Sequence, residues 1–165
     1  MRKLSDLAHL HTKFAELFLQ HQRALIWGDV ASAQARLDEY ERDLLDHMRD
    51  EEELLIPIYA GRAEPPIGGA AEIFLNEHLK IREYLKLFQA EIPKVAAAKD
   101  REQAVLWLLD SQCTFKRLLV HHDNRERKFL YPFLDQITTA QEKERLFEEL
   151  RLPPVELATA SLTAA

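Results

Sequence analysis

The chain has 165 residues, 47% hydrophobic and 30% charged, with a net charge of −6. That length supports one domain with a substantial core, and the negative balance argues against a protein that tracks nucleic-acid phosphates. Four glycines and sparse β-branched residues argue against sheet; the single cysteine rules out an internal disulfide, and no apolar run is long enough to cross a membrane.

The opening Met-Arg-Lys-Leu-Ser-Asp carries no secretory pattern, and Cys113 reads as a small core residue in a reducing cytoplasm. The first helix is predicted over about 3–27, ending at a Trp27-Gly28-Asp29 turn. There Asp29 caps the second helix, about 30–59. A Pro/Gly-rich loop from Gly61 to Gly69 precedes the third helix, about 70–98, and Asp100 caps the fourth, about 101–135. Thr138 or Thr139 caps a short fifth helix to about 150, and from Pro153-Pro154 onward the chain reads as a mobile tail. Pro57, Pro93 and Pro132 fall near helix ends, where a stop or kink costs least. The expected fold is all-α: an antiparallel up-down-up-down four-helix bundle over 1–136, then a short helix and flexible tail over 137–165.

Each long helix carries an apolar seam with alternating spacings of three and four. The first runs Leu4, Leu7, His11, Phe14, Phe18, His21, Leu25. The second runs Leu37, Tyr40, Leu44, His47, Glu51, Leu54, Ile58. The third runs Phe74, His78, Ile81, Leu85, Phe88, Ile92, Val95. The fourth runs Leu108, Gln112, Phe115, Leu119, His122, Glu126, Phe129, Phe133. These seams turn His11 inward rather than His9, and His122 rather than His121. They also drive Glu51 and Glu126 into the core, where an unpaired carboxylate costs several kcal/mol. A buried cation would remove that cost.

Two segments echo each other. His47-Met-Arg-Asp-Glu51 and His122-Asp-Asn-Arg-Glu126 each place an imidazole and a carboxylate four residues apart on one helix face, with a proline ten residues after the histidine. Depth agrees as well. His11 lies 16 residues before Trp27 and His47 lies 17 after Val30, while His78 and His122 each stand 21 residues from the turn at Lys99 and Arg101. Four histidines and two glutamates therefore converge on one layer. Imidazole with carboxylate suits iron, zinc or manganese better than calcium or magnesium, and two carboxylates can bridge two such ions. The order His-x-x-x-Glu differs from the Glu-x-x-His of ferritin-like bundles. His21 reads as a satisfied core imidazole, His9 and His121 as solvated or outer positions, Glu52 and Glu53 as a solvated face, and Trp27 and Trp107 as core or loop packing.

The complete pattern resembles the hemerythrin-like, or HHE cation-binding, family over roughly residues 5–135. His11-Thr-Lys-Phe-Ala-Glu-Leu-Phe on the first helix also echoes His78-Leu-Lys-Ile-Arg-Glu-Tyr-Leu on the third. The resemblance implies a non-haem di-iron centre with His11, His47, Glu51, His78, His122 and Glu126 as ligands. Both glutamates would bridge. His11 and His47 would hold one iron, His78 and His122 the other, with a solvent-derived oxo or hydroxo bridge between them; zinc or manganese could substitute. One position departs: oxygen-carrying members have a further histidine where this chain has Phe74, which argues against reversible oxygen storage and leaves open positions on both metals. The expected role is to bind or sense oxygen, nitric oxide or peroxide in the cytoplasm, or to serve iron homeostasis or repair. No separate substrate pocket with a general acid is legible, so an oxidase or peroxidase-like enzyme ranks second. A metal-dependent module that presents the fifth helix and tail to a partner protein ranks third. Neither nucleic acid nor membrane is an expected partner; a homodimer or protein partner is compatible.

Overall fold

In the computed structural model, which describes residues 2–154, the chain enters through a 3-10 segment, Leu4–His9, that runs directly into helix α1 (Leu10–Ile26). The entry is tied down from a distance: Asp135 accepts the backbone N–H groups of Leu4 and Ser5 at 2.8 and 3.1 Å, which satisfies two amides that a helix start leaves unpaired. Gly28, at φ 76°, makes the turn, and Asp29 caps α2 (Val30–Asp50) by accepting from Ser32 N–H at 3.0 Å.

The second predicted helix does not continue as a plain α-helix. At Glu51 it opens into one π-helical turn, Glu51–Leu55, and resumes as α3 (Ile56–Arg62). The fourth repeats this. Asp100 caps α5 (Arg101–Arg125) through Gln103 N–H at 3.0 Å; a π turn spans Glu126–Leu130, and α6 (Tyr131–Ile137) follows. The cause is proline. In an α-helix, the rings of Pro57 and Pro132 would strike the carbonyls of Glu53 and Lys128, and neither has an N–H to donate. The wider turn instead pairs Ile56 N–H with Glu51 O and Tyr131 N–H with Glu126 O, five residues back. Both prolines therefore sit inside continuous helical rods, not at their ends.

An extra residue per turn moves the seam. Before the π turns, the predicted inward positions are buried or half-buried. After them, Phe129 is buried as expected and Leu54, Ile58 and Phe133 are half-buried against the core, while the most deeply inward residues are Leu55, Ile56, Tyr59, Leu130, Tyr131 and Leu134. The third helix, α4 (Ala71–Ala97), has no such turn and buries its whole predicted seam from Phe74 to Val95, with Pro93 tolerated inside it. Helix α7 (Ala140–Glu149) is capped by a reciprocal Thr139–Glu142 box. Beyond it, the amides of Arg151 and Leu152 donate to buried Asp50 at 2.9 and 3.1 Å. Most of the predicted mobile tail, from residue 155 on, lies outside the described residues.

Helix α1 packs on α2 and α4 on α5, and contacts between α2 and α4 and between α1 and α5 close the core. Phe115 sits at its centre, with ring centroids of Phe88, Phe18, Tyr84 and Tyr40 at 5.2, 5.4, 5.6 and 6.3 Å. Pairs of this kind contribute about 0.5–1.5 kcal/mol beyond area burial. Three expectations fail at the surface. Cys113 is exposed, because Gln112 holds the seam position and the next residue turns about 100° away from it. Trp27 and Trp107 are 78% and 70% exposed; the first lies at the α1–α2 turn, the second on the outer face of α5. No helix among the described residues is long and apolar enough to cross a membrane.

Gln112 has a polar task in the core. His21 donates Nδ1–H to Ala33 O at 2.8 Å, so its Nε2 accepts from Gln112 Nε2 at 2.9 Å, and Gln112 Oε1 accepts from Gln22 Nε2 at 2.9 Å. The carbonyl of Ala33 thus fixes the neutral tautomer of His21. Burial holds the pKa of His21 below 6.5, against the opposing hydrogen bond to Ala33. The unfolded chain therefore takes up this proton first, and stability from this site is intact above about pH 6.5 and falls as the pH drops below it. Urea midpoints of the parent and His21→Gln, compared from pH 7.5 to 5, should show the parent losing more stability on acidification. Parallel curves would contradict this.

Candidate metal centre

Each half of the chain delivers two histidines to one level. Nε2 of His11 lies 3.1 Å from Nε2 of His47, and Nε2 of His78 lies 3.2 Å from Nε2 of His122. His47, His78, His122, Glu51 and Glu126 are buried and His11 nearly so, while His9 and His121 are exposed. The glutamates stand between the pairs. Glu51 places Oε1 3.6 Å from His47 Nε2 and Oε2 3.3 Å from His78 Nε2. Glu126 places Oε2 3.2 Å from His11 Nε2 and Oε1 2.7 Å from His122 Nε2. Each carboxylate thus offers one oxygen to each histidine pair.

Outside this layer, three of the four histidines are held from behind. Asp123 accepts Nδ1–H of His11, Glu52 that of His78 at 2.8 Å and Glu77 that of His122 at 3.0 Å. An arginine grips each of these carboxylates: Arg127 on Asp123 at 2.6 Å, Arg82 on Glu52 through two bonds of 2.8 Å, and Arg125 on Glu77 at 3.2 Å. With Nδ1 donating, the lone pair of each neutral imidazole is at Nε2 and points into the layer. Glu52 is thus not part of a solvated face as its sequence position suggested; the π turn that begins at Glu51 brings it against His78.

Such a layer is unfavourable without positive charge inside it. The Nε2 atoms of each pair face one another, and Glu51 Oε2 and Glu126 Oε1 are buried and face, among the described residues, only Nε2 of His78 and of His122. The titration behaviour reflects the same deficit. Burial opposes charge on His122, but Glu126, Glu77 and Glu51 outweigh it and lift its pKa to about 10. His11 and His78 are raised too: burial is outweighed by Asp123 and Glu126 for the first, and by Glu51 and Glu52 for the second. His47 has no carboxylate behind it; burial, with the other three imidazoles adding to it, brings its pKa down to about 4 against the pull of Glu51. Burial and the charge of Glu51 raise Glu126.

The donors meet a metal's requirements. His11, His47 and Glu126 form one group and Glu51, His78, His122 and Glu126 another, each with donor atoms within 4.8 Å of one another, and either could hold a metal ion. Two imidazoles on one ion at bonds of about 2.0–2.1 Å stand about 2.8–3.4 Å apart at right-angled to tetrahedral angles, a range that includes both pairs. The model of the Hemerythrin HHE cation binding domain family matches residues 2–134. The chain belongs to this family. No curated protein and no solved structure matches the chain.

Two features of this hemerythrin-domain site were not legible in the sequence. Tyr131 donates its hydroxyl to Glu51 Oε1 at 2.5 Å and lies 3.5 Å from both His47 Nε2 and Glu126 Oε2. It stands five residues after Glu126, off the α-helical face, and only the π turn brings it round. The spacing Glu-x5-Pro, present in both halves, was the available signal. The second feature is a cavity of about 310 Å³ between α1 and α5 that reaches His11, His47 and His122. Phe74 is fully buried and packs edge-on against Tyr59 at 5.9 Å.

Glu52 and Glu53 are adjacent, but only Glu52 orients a histidine; Glu53 pairs with Arg151 at the surface. Glu52→Ala should weaken metal binding about 10–100-fold, and Glu53→Ala should leave it unchanged. Competition with a coloured chelator measures both; equal affinities would contradict the role given to Glu52.

Proposed function

We propose that this chain is a non-haem di-iron protein whose bundle core presents two metal ions to a small diatomic molecule or peroxide. The observation that carries the reading is the split of each glutamate, one oxygen toward His11 and His47, the other toward His78 and His122. In this reading His11 and His47 hold one ion, His78 and His122 the second, and Glu51 and Glu126 bridge them. Iron suits the donor set, with zinc or manganese as substitutes. When bound, the pair supplies a redox-active centre and open positions for a small ligand.

The protein's own residues do the rest. Arg82, Arg125 and Arg127, acting through Glu52, Glu77 and Asp123, fix three imidazole planes. Tyr131 neutralises part of the charge on Glu51 and holds a proton beside both glutamates. The apolar core encloses the layer on the sides away from the cavity at His11, His47 and His122. The family membership supports an antiparallel up-down-up-down bundle over residues 1–136, with 137–165 an appended helix and tail. So does the pairing of His11 with His47 and of His21 with Ala33. A sensor, scavenger or iron-handling role fits a sequestered site that lacks the extra histidine at Phe74, and the cytoplasm is the proposed setting. The enzyme reading gains one observation, the cavity beside the histidines.

Metal analysis of protein loaded anaerobically with ferrous iron should give two ions per chain. Glu51→Ala and Glu126→Ala should each lose most of that metal, since each carboxylate serves both ions. One ion per full-length chain would sink the reading.

The raised pKa values of His11, His78 and His122 mean that the metal-free site carries protons near neutral pH. Binding must expel them, so affinity should fall as pH falls. Calorimetric titration at pH 7 in two buffers of different ionisation enthalpy should show net proton release. Metal should also raise the Tm by about 5–10 °C at a hundredfold excess over Kd. Identical heats in both buffers would contradict the protonation account.

A further inference from the structure

The cavity between α1 and α5 has the shape and chemistry of a binding site for an organic molecule. Its walls are Phe14, Phe18, Leu44 and Leu119, and exposed Leu19 and Val120 stand at its rim. Polar groups lie at two levels. The inner level is the histidine layer. The outer level is set by Tyr40, seven residues before His47 on α2, and Lys116, six residues before His122 on α5. At 1.5 Å rise per residue, they stand about 9–10.5 Å from the histidines along the bundle.

Tyr40 is 1% exposed and its hydroxyl has no hydrogen-bond partner. Burying such a hydroxyl is unfavourable, whereas phenylalanine, as at Phe14 and Phe18 nearby, would fill the place without that cost. Lys116 is exposed, and its ammonium is 3.3 Å from Gln22 Oε1, with no carboxylate paired to it among the described residues. A buried donor and a cation at one level, with an apolar passage leading from them to the histidines, match an anionic head group on an apolar chain. Length sets the chain: the passage runs about 9–10.5 Å along the bundle from the outer level to the histidines, the reach of a medium-length alkyl chain, within a cavity of about 310 Å³.

We propose that this cavity binds a medium-chain aliphatic carboxylate, with its head group between Tyr40 and Lys116 and its chain running toward the layer of His11, His47 and His122. Binding stands on the cavity alone. That the chain end approaches a metal rests on the di-iron reading above.

The test is calorimetric titration of the metal-loaded full chain with octanoate, with metal content measured on the same samples. Octanoate should bind saturably at one per chain. Lys116→Met and Tyr40→Phe should each weaken it about tenfold or more. Octan-1-ol should bind without any dependence on Lys116, and Leu119→Trp, which fills the passage, should abolish binding of both. Lys116 is exposed, so its variant carries the test even if Leu119→Trp does not fold. No saturable octanoate binding, or equal octanoate affinity in the parent, Lys116→Met and Tyr40→Phe, overturns the proposal. Unchanged affinity accompanied by a shifted optical spectrum would identify carboxylate binding at the metal and also overturns it. Octanoate binding in protein that takes up fewer than two metals would refute the di-iron reading and leave the cavity assignment standing; two metals without octanoate binding would do the reverse.

Discussion

Two carboxylates lie at the centre of an apolar bundle, and most of the rest of the structure answers to them. Burying Glu51 and Glu126 side by side costs several kcal/mol per ion unless positive charge reaches the layer. The four imidazoles are the means. Three of them are backed by a carboxylate and then an arginine, so His11, His78 and His122 are each held in orientation by a chain that ends at the solvent-facing side of the helices. Only His47 lacks such backing, and it is the imidazole that burial keeps most firmly neutral. The layer is therefore built to prefer positive charge, protons or cations, and to keep its Nε2 atoms facing inward.

The backbone device that makes this possible is the π turn. Both copies begin at the glutamate and end just before a proline, so the residue that breaks the α-helix also sets where the carboxylate lies. An ordinary helix would have placed Leu54 and Ile58 inward and left Tyr131 facing away. The wider turn puts Tyr59 and Leu55 into the core, brings Glu52 against His78 and delivers the Tyr131 hydroxyl to Glu51. π turns are uncommon and gather at functional sites; here the same local event serves the fold and the site.

This explains how far the sequence could be read. The helical class, the caps at Asp29 and Asp100 and the inward faces from Leu4 to Glu51 and from Phe74 to Glu126 follow from period and capping chemistry, which are local. The convergence of His11, His47, His78 and His122 was legible because the depths were counted from turns. Beyond each glutamate Phe129 stays inward, but Leu54, Ile58 and Phe133 move to the edge of the core, since a strict 3.6-residue period carries no term for an inserted turn. Glu52 was misplaced for that reason. Cys113, Trp27 and Trp107 were misjudged for another: residue type favours burial, but position on the helix decides it. The cavity was out of reach, because a void depends on the gap between α1 and α5 and on no single stretch of chain.

In the proposed reading, this layer of two carboxylates and backed imidazoles, with its adjoining apolar passage, holds two metals that a small molecule can approach. The most direct test of that claim is anomalous diffraction at the iron edge from crystals of the iron-loaded protein. The account predicts two peaks in the core, one beside His11 and His47 and one beside His78 and His122, each within bonding distance of both Glu51 and Glu126. A single peak, or metal bound away from these residues, would contradict it.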